Sequence, residues 1–100
     1  MKYDKVIIRK SSDKNKKLEA VFSSSSGGRT KTTRFGQAGA PDYTITKDKK
    51  QRSRYITRHK ARENWNDPLS AGALSKRILW GTSTSRRENI NSFKKHFNLM

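Results

Sequence analysis

A run of closely spaced cations is the part of this sequence best suited to bind another molecule. The run covers residues 47–62, KDKKQRSRYITRHKAR, and holds eight Lys or Arg and one acid. Folded as a helix at 100° per residue, it places four cations on one stripe and Tyr55, Ile56 and His59 on the opposite side. The stripe consists of Lys47, Lys50, Arg54 and Arg58. Nucleic acid presents the most regular row of anions to such a stripe, although an anionic membrane or an acidic protein surface would also serve.

Other cations extend the predicted nucleic-acid-binding surface. They are Lys49, Lys60 and Arg62 beside the stripe, and Arg87, Lys94 and Lys95 on the last predicted helix. A helix kept charged only for solubility would mix both signs on its outer face, but here the acids Asp48 and Glu63 fall on the inward side near Arg52. Arg52 is predicted to be structural and to pair with Asp48, four residues earlier.

The whole chain is basic. Its 100 residues carry 24 Lys or Arg against 8 Asp or Glu, a formal charge of +16. Both halves of the chain share this excess, so it does not belong to a detachable tail. Self-repulsion of this size opposes compaction, and a polyanion or acidic neighbours would relieve it.

Several function classes find no support in the residues. Cysteine is absent, so no disulfide framework or thiolate chemistry is expected. His59 and His96 stand without a carboxylate cluster, which argues against a metal site. Gly36-x-x-Gly39 lacks the Gly-Lys-Ser/Thr of a phosphate loop and is interpreted as a strand-to-helix connection. The sequence therefore predicts a non-catalytic protein with no cofactor, no metal and no small-molecule substrate.

The beginning of the chain, MKYDKVIIRK, has too short an apolar run for a secretory signal, and no segment approaches a transmembrane span. We therefore expect an intracellular protein.

The first third of the chain reads as β-structure. Three short segments rich in β-branched or aromatic residues are separated by turn formers, and they are residues 5–9, 18–22 and 30–35. They predict a three-stranded antiparallel meander. Leu18, Ala20 and Phe22 alternate onto one face of the second strand, which must be covered.

Three helices are expected after the glycine-containing break at residues 36–42. The first runs from an N-cap at Thr46 to about Glu63, and the second from Pro68 to Gly81. The third follows Ser85, which forms a capping box with Glu88, and aligns Ile90, Phe93 and Phe97 on one face. The fold class is thus α+β, one domain over residues 1–100, with a β part at about 1–36 and a helical part at about 44–98.

The two tryptophans have two interpretations. They could stack on bases, as aromatic platforms do in single-strand binders, or they could belong to the core. Trp80 ends an Ile-Leu run and is predicted to be buried, whereas Trp65 lies between two asparagines and is the more open residue. Residues 82–87, TSTSRR, offer hydroxyls beside arginines, and phosphorylation of Thr82–Ser85 would add negative charge at a helix N-terminus.

The order of several short motifs resembles that of a known family. The motifs are Arg34-Phe35-Gly36-x-x-Gly39-x-x-Asp42-Tyr43-Thr44, Lys47-Asp48, Arg54-Tyr55-Ile56-x-Arg58-His59, Glu63-Asn64-Trp65, Asp67-Pro68, Ala71-Gly72 and Ile78-Leu79-Trp80. They are similar to those of small basic proteins encoded by large nucleocytoplasmic DNA viruses and by some of their algal and protist hosts. The resemblance implies a viral product carried in the virion and present in the cytoplasm or nucleus of the infected host. It implies no catalytic residues.

Two functions follow from these observations. The first is phosphate-directed binding of nucleic acid, which would condense or package a viral genome. The alternative is a minor structural protein that cements the capsid, in which the basic surface contacts acidic viral structural proteins.

Overall fold

The computed structural model describes residues 3–100 and begins with an antiparallel meander. Its strands are β1 (Lys5–Lys10), β2 (Lys16–Ser23) and β3 (Lys31–Gln37), with β2 in the centre. Turn residues separate the strands as expected, and the predicted meander followed by helices is confirmed. Met1 and Lys2, which open the predicted β part, lie outside the described residues.

The inner face of the sheet forms one wall of the core. Val6 is paired with Phe22, and Leu18 is paired with Phe35. Phe22 and Ala20 are fully buried, Phe35 is 1 % exposed, and Leu18 packs against the core at its margin. The alternation in β2 therefore places its apolar residues on the covered face, as the sequence predicts.

The outer face of the sheet carries a buried carboxylate. Glu19 lies between two cross-strand arginines, 2.8 Å from Arg9 Nε and 3.3 Å from Arg34 Nε. The backbone N–H of Ser12 also donates to it at 3.1 Å. The hydrogen bond from Ser12, followed by that from Arg9, lowers the pKa of Glu19 from 4.5 to about 2.

The low pKa of Glu19 predicts how stability depends on acid. A carboxylate with a lowered folded-state pKa stabilises the fold while it is ionised, so its contribution is complete above the unfolded-state value and disappears as pH falls. For Glu19 the loss should run from about pH 4.5 to about pH 2. Urea unfolding at several pH values should show a shallower decline over this range in Glu19→Gln than in the wild type. Parallel curves for the two proteins would contradict this assignment.

The two edges of the sheet are partly covered. Val6 N–H donates to the Met100 carbonyl at 3.0 Å, and Met100 N–H donates to the Asp4 carbonyl at 2.9 Å. The end of the chain thus pairs with the outer edge of β1. On β3, the Thr33 hydroxyl donates to the Leu69 carbonyl at 2.8 Å, which holds the loop before the third helix against that strand.

The first two helices differ from the prediction at their boundaries. A short helix, α1 (Tyr43–Thr46), is capped by Asp42, and α2 (Lys49–Lys60) is capped by Asp48. The predicted N-cap at Thr46 is wrong, because Thr46 is the last residue of α1 and the Asp48 carboxylate accepts the first N–H groups of α2. Lys47 lies between the helices in a left-handed conformation, with φ of 57°.

The next helix is short and changes its winding. It begins as α3 (Ala71–Leu74) and continues as a π-helix (Ser75–Leu79). Pro68 does not begin it as predicted, because Ser70 is the N-cap and accepts the N–H of Ala73 at 3.1 Å. Leu74, Ile78 and Leu79 are all buried, so this helix lies at the centre of the core.

The last helix, α4 (Arg86–His96), begins as predicted. Ser85 caps it by accepting the N–H of Glu88 at 3.3 Å, although the Glu88 carboxylate bonds the Ser83 hydroxyl instead of closing a capping box. Phe93 is 1 % exposed and packs beside Phe97. The core therefore lies between the inner sheet face, the π-helix and α4. In residues 3–100, no helix is both long and apolar enough to cross a membrane.

A buried carboxylate joins the sheet to α4. Asp42 accepts hydrogen bonds from Lys17 Nζ at 2.5 Å, Arg86 at 3.2 Å and the Thr44 N–H at 2.9 Å. Burial alone would raise the pKa of Asp42, but the bonds from Lys17 and Thr44 and the charges of Lys17 and Arg86 hold it below the ordinary value. One side chain thus caps α1 and fixes α4 relative to β2.

Candidate nucleic-acid interface

The helix α2 is held in place by an aromatic stack on its inner side. The Tyr55 ring lies 4.2 Å from the Trp80 ring at an interplanar angle of 5°, and 4.2 Å from the His59 ring on its other side. His59 Nδ1 lies 3.0 Å from a Glu63 carboxylate oxygen. Burial, and secondarily the negative charge of Glu63, raises the pKa of Tyr55 to about 12. The stack leaves the opposite side of α2 to the solvent.

Arg52 fixes the helix as well, but not through the predicted partner. Its Nε donates to the carbonyl oxygens of Trp80 at 3.0 Å and Gly81 at 2.9 Å. The predicted Asp48–Arg52 pair is wrong, because Asp48 is used as the helix cap. The structural role expected for Arg52 is therefore met by two carbonyls at the end of the π-helix.

Three predicted cations form a line along the outer flank of α2. Lys50, Arg54 and Arg58 are spaced four residues apart, and all three are exposed. We call these three residues the α2 stripe. Lys49 and Lys60 are exposed on the other flank. Each residue advances the helix by about 1.5 Å, so the stripe covers roughly 12 Å.

The remaining predicted cations are not part of the stripe. Lys47 precedes α2 and Arg62 follows it. The prediction that Lys47 lies on the same helix as the stripe is therefore wrong. Arg87 and Lys95 are exposed on α4, and Lys94 is partly buried there. These three cations form a second group on α4, a separate element that packs against the π-helix.

The carboxylates of the chain are used internally. All eight Asp and Glu side chains accept hydrogen bonds within the protein. Four Lys or Arg side chains of residues 3–100 lie within 4.0 Å of a carboxylate, and they are Arg9, Lys17, Arg34 and Arg86. No member of the α2 stripe is among them. The acids thus cap helices and pair with these four cations, and the stripe keeps its positive charge.

A cleft that the sequence did not reveal adjoins the stripe. It measures about 500 Å³ and lies between the ends of β2 and β3 and the side of α2. Arg58 of the stripe lines it together with Lys16 from β2, while Tyr55, His59 and Glu63 form another part of its wall. Only the packing of the sheet against α2 brings Lys16 and Arg58 to the same cleft.

The other candidate residues have structural contacts. A Cβ on Gly36 would lie 2.6 Å from Leu79 Cδ1, so this glycine permits the sheet to approach the π-helix. Trp80 is buried, and the Trp65 indole N–H donates to Glu63 at 2.8 Å. Among the described residues, no group of three or more His, Cys, Asp or Glu is arranged to hold a metal ion.

These features define a small basic α+β protein with an unneutralised line of cations on one capped helix. The chain belongs to a family of unknown function, DUF5754, which it matches over residues 6–59. The match contains β2, β3, α1 and the α2 stripe, together with all but one residue each of β1 and α2. No curated protein and no solved structure matches the chain.

Proposed function

We propose that the protein binds nucleic acid by contacting phosphates with the α2 stripe. The observation that carries this proposal is the separation of charges. Every Asp and Glu side chain accepts a hydrogen bond inside the protein, whereas Lys50, Arg54 and Arg58 have no carboxylate of residues 3–100 within 4.0 Å. An outer helix face that served only solubility would carry acids among its bases. A surface of one sign attracts a polyanion and is stabilised by it.

The spacing of the stripe fits a phosphate backbone. Its roughly 12 Å length spans three to four phosphates of one strand, which follow one another by about 3.4 Å along the duplex axis. Each cation can therefore contact a different phosphate. Ser53 and Thr57 are exposed on α2 beside the stripe and offer hydroxyl donors to the same backbone.

The proposed binding depends on charge and does not recognise the base sequence of the nucleic acid. The stripe holds no Asn or Gln, the amide side chains that read adenine edges, and the proposal assigns its Lys and Arg to phosphates instead of guanine edges. We propose that this sequence-tolerant binding condenses or packages a genome in a virion, a setting that rests on the resemblance to viral proteins. The activity is non-catalytic, with phosphates as the ligands.

A second candidate function is cementing of a viral capsid. Ile7 and Ile45 are 57 % and 58 % exposed, so the surface offers apolar side chains as well as cations to a protein neighbour. Acidic structural proteins would then neutralise the α2 stripe in place of phosphates.

Competition between duplexes tests the proposed function. At about 50 mM salt, where the electrostatic attraction is large, unrelated duplexes should bind with affinities within about tenfold of each other. Sequence-specific proteins discriminate by roughly 10³-fold or more. Fluorescence anisotropy with two duplexes of equal length and different sequence measures the ratio.

Two results would contradict the proposal in different ways. A strong preference for one duplex would overturn sequence tolerance while leaving nucleic acid as the partner. Failure to retain any duplex at this salt concentration would remove the nucleic-acid function and favour the capsid candidate.

A further inference from the structure

A second cluster of cations converges on a small cavity away from the α2 stripe. Arg52 of α2 and Lys76 and Arg77 of the π-helix line a cavity of about 90 Å³, together with Thr82 and Ser92. All three cations are partly buried. None of them lies within 4.0 Å of a carboxylate in residues 3–100. We call Arg52, Lys76 and Arg77 the cation cluster.

The protein positions these cations while leaving donors unused. Arg52 donates its Nε–H to two backbone carbonyls, and Arg77 donates its Nε–H to the Trp65 carbonyl at 3.0 Å. Lys76 Nζ lies 5.0 Å from the centre of the Trp65 ring and makes no hydrogen bond to another group of residues 3–100. A guanidinium carries five N–H donors. Arg77 also donates from Nη2 to Asn66 Oδ1 at 3.4 Å. Each arginine is therefore anchored by one or two donor groups and retains others for a ligand.

The cluster is electrostatically unfavourable without an anion. Burial, followed by the charges of Arg77 and Arg52, lowers the pKa of Lys76, and burial lowers the pKa of Arg77. Like charges that are partly removed from water repel each other more strongly than on an open surface. An anion in the cavity would supply the missing opposite charge and stabilise the folded state.

We propose that this cavity binds the phosphoryl group of a phosphomonoester or free phosphate. Its volume corresponds to roughly three waters, which suits one small tetrahedral anion. Three cations match a dianion better than the single charge of a diester, and the hydroxyls of Thr82 and Ser92 can donate to its oxygens. This site goes beyond the proposed function, because none of its cations belongs to the α2 stripe and its ligand needs no polymer.

Titration with defined anions tests the site. Inorganic phosphate, a nucleoside 5′-monophosphate and dimethyl phosphate are added separately at constant ionic strength, and binding is followed by NMR shifts of backbone amides around Gly81 and Ser92. Phosphate and the monophosphate should bind, and dimethyl phosphate should bind at least about tenfold more weakly because it carries one charge. Tighter binding of the nucleotide than of phosphate would support the site and identify a nucleotide as the source of the phosphoryl group. Equal binding would support a site for phosphate alone.

Matched substitutions separate this site from general basicity. Lys76→Met retains an apolar stem over Trp65 and should weaken phosphate binding about tenfold or more. Lys14→Met makes the same change of charge at an exposed position of the turn after β1 and should leave binding unchanged. Lys76→Arg keeps the charge and should keep most of the affinity. Equal phosphate affinity in Lys76→Met and Lys14→Met would overturn the proposal, as would dimethyl phosphate binding as tightly as phosphate.

The duplex assay distinguishes the two proposals. Loss of phosphate binding by Lys76→Met with unchanged binding of a 5′-hydroxyl duplex would support a separate cavity site. A wild-type protein that binds duplex but shows no phosphate-dependent shifts would overturn the cavity site and leave the α2 stripe in place.

Discussion

Replacing Phe93 with alanine is expected to lower the free energy of unfolding by about 3–5 kcal/mol. Phe93 is 1 % exposed and connects α4 with the core, with its ring 5.0 Å from that of Phe97. Truncation removes buried apolar surface and leaves a cavity that the surrounding helices can fill only in part. Because small domains are stable by only about 5–15 kcal/mol, this single change should remove a large share of the total.

Urea unfolding followed by tryptophan fluorescence measures this loss. Ile7→Ala is the control, because Ile7 is 57 % exposed on the outer sheet face and its truncation should change stability by no more than about 0.5 kcal/mol. Trp80→Ala should behave like Phe93→Ala, since Trp80 is 7 % exposed and stacks on Tyr55. If Phe93→Ala unfolded at the same urea concentration as the wild type, the packing of α4 on the π-helix would not be what stabilises the fold.

Replacing Lys50, Arg54 and Arg58 together with alanine is expected to change duplex binding most. Each lost phosphate contact should reduce the slope of log affinity against log salt by about one unit, so the triple variant should lose about three. The fold should survive, because all three side chains are exposed and alanine favours helix formation. The decrease should be the same on every duplex sequence, since phosphates do not differ between sequences.

A second triple variant controls for net charge. Lys5, Lys10 and Lys14 are exposed on β1 and on the turn that follows it, and their replacement removes the same charge. We expect this variant to retain most of the wild-type slope. Equal losses in the two variants would show that binding depends on overall charge and not on α2. If neither variant affected duplex binding while the α2 variant detached from capsid shells, the capsid function would be favoured.

The sheet was predictable because its determinants are local. Leu18, Ala20 and Phe22 fall at every second position of β2, and runs of Ser, Gly, Asp and Asn separate the strands. Antiparallel strands with short connections pair with their sequence neighbours, which left the meander as the simplest topology. The same alternation indicates which face of β2 is buried, because a shift by one residue would expose Phe22. Which residues pair across the strands was not predicted.

Helix boundaries were less predictable because several residues compete for each cap. Thr46 and Asp48 are both good N-cap residues, and the structure uses Asp48 because a separate turn, α1, already includes Thr46. The predicted start at Pro68 and the observed cap at Ser70 are two alternative beginnings of the next helix. The helix begins after Ser70, whose hydroxyl accepts the Ala73 N–H. The choice depends on the path of the preceding loop, which the pattern of residue types does not contain.

The two candidate sites differ in the same way, because one follows from a local pattern and the other depends on how the elements pack. Lys50, Arg54 and Arg58 share one helix, so their alignment follows from helical periodicity alone. The cation cluster brings Arg52 of α2 to the same cavity as Lys76 of the π-helix, and only the folded arrangement of these two elements places them there. A helical pattern relates Arg52 only to residues of its own helix. The partner predicted for Arg52 therefore lay four positions away.

The covered edges of the sheet bear on aggregation. Many copies gathered on one polyanion would lose the mutual repulsion of their +16 charges, and exposed strand edges could then pair between neighbouring molecules. The hydrogen bonds of Met100 to Asp4 and Val6 occupy donors and acceptors on the outer edge of β1, and the bond from Thr33 to Leu69 holds a loop against β3. The end of the chain and this loop therefore reduce the length of strand edge at which neutralised molecules could nucleate an intermolecular sheet.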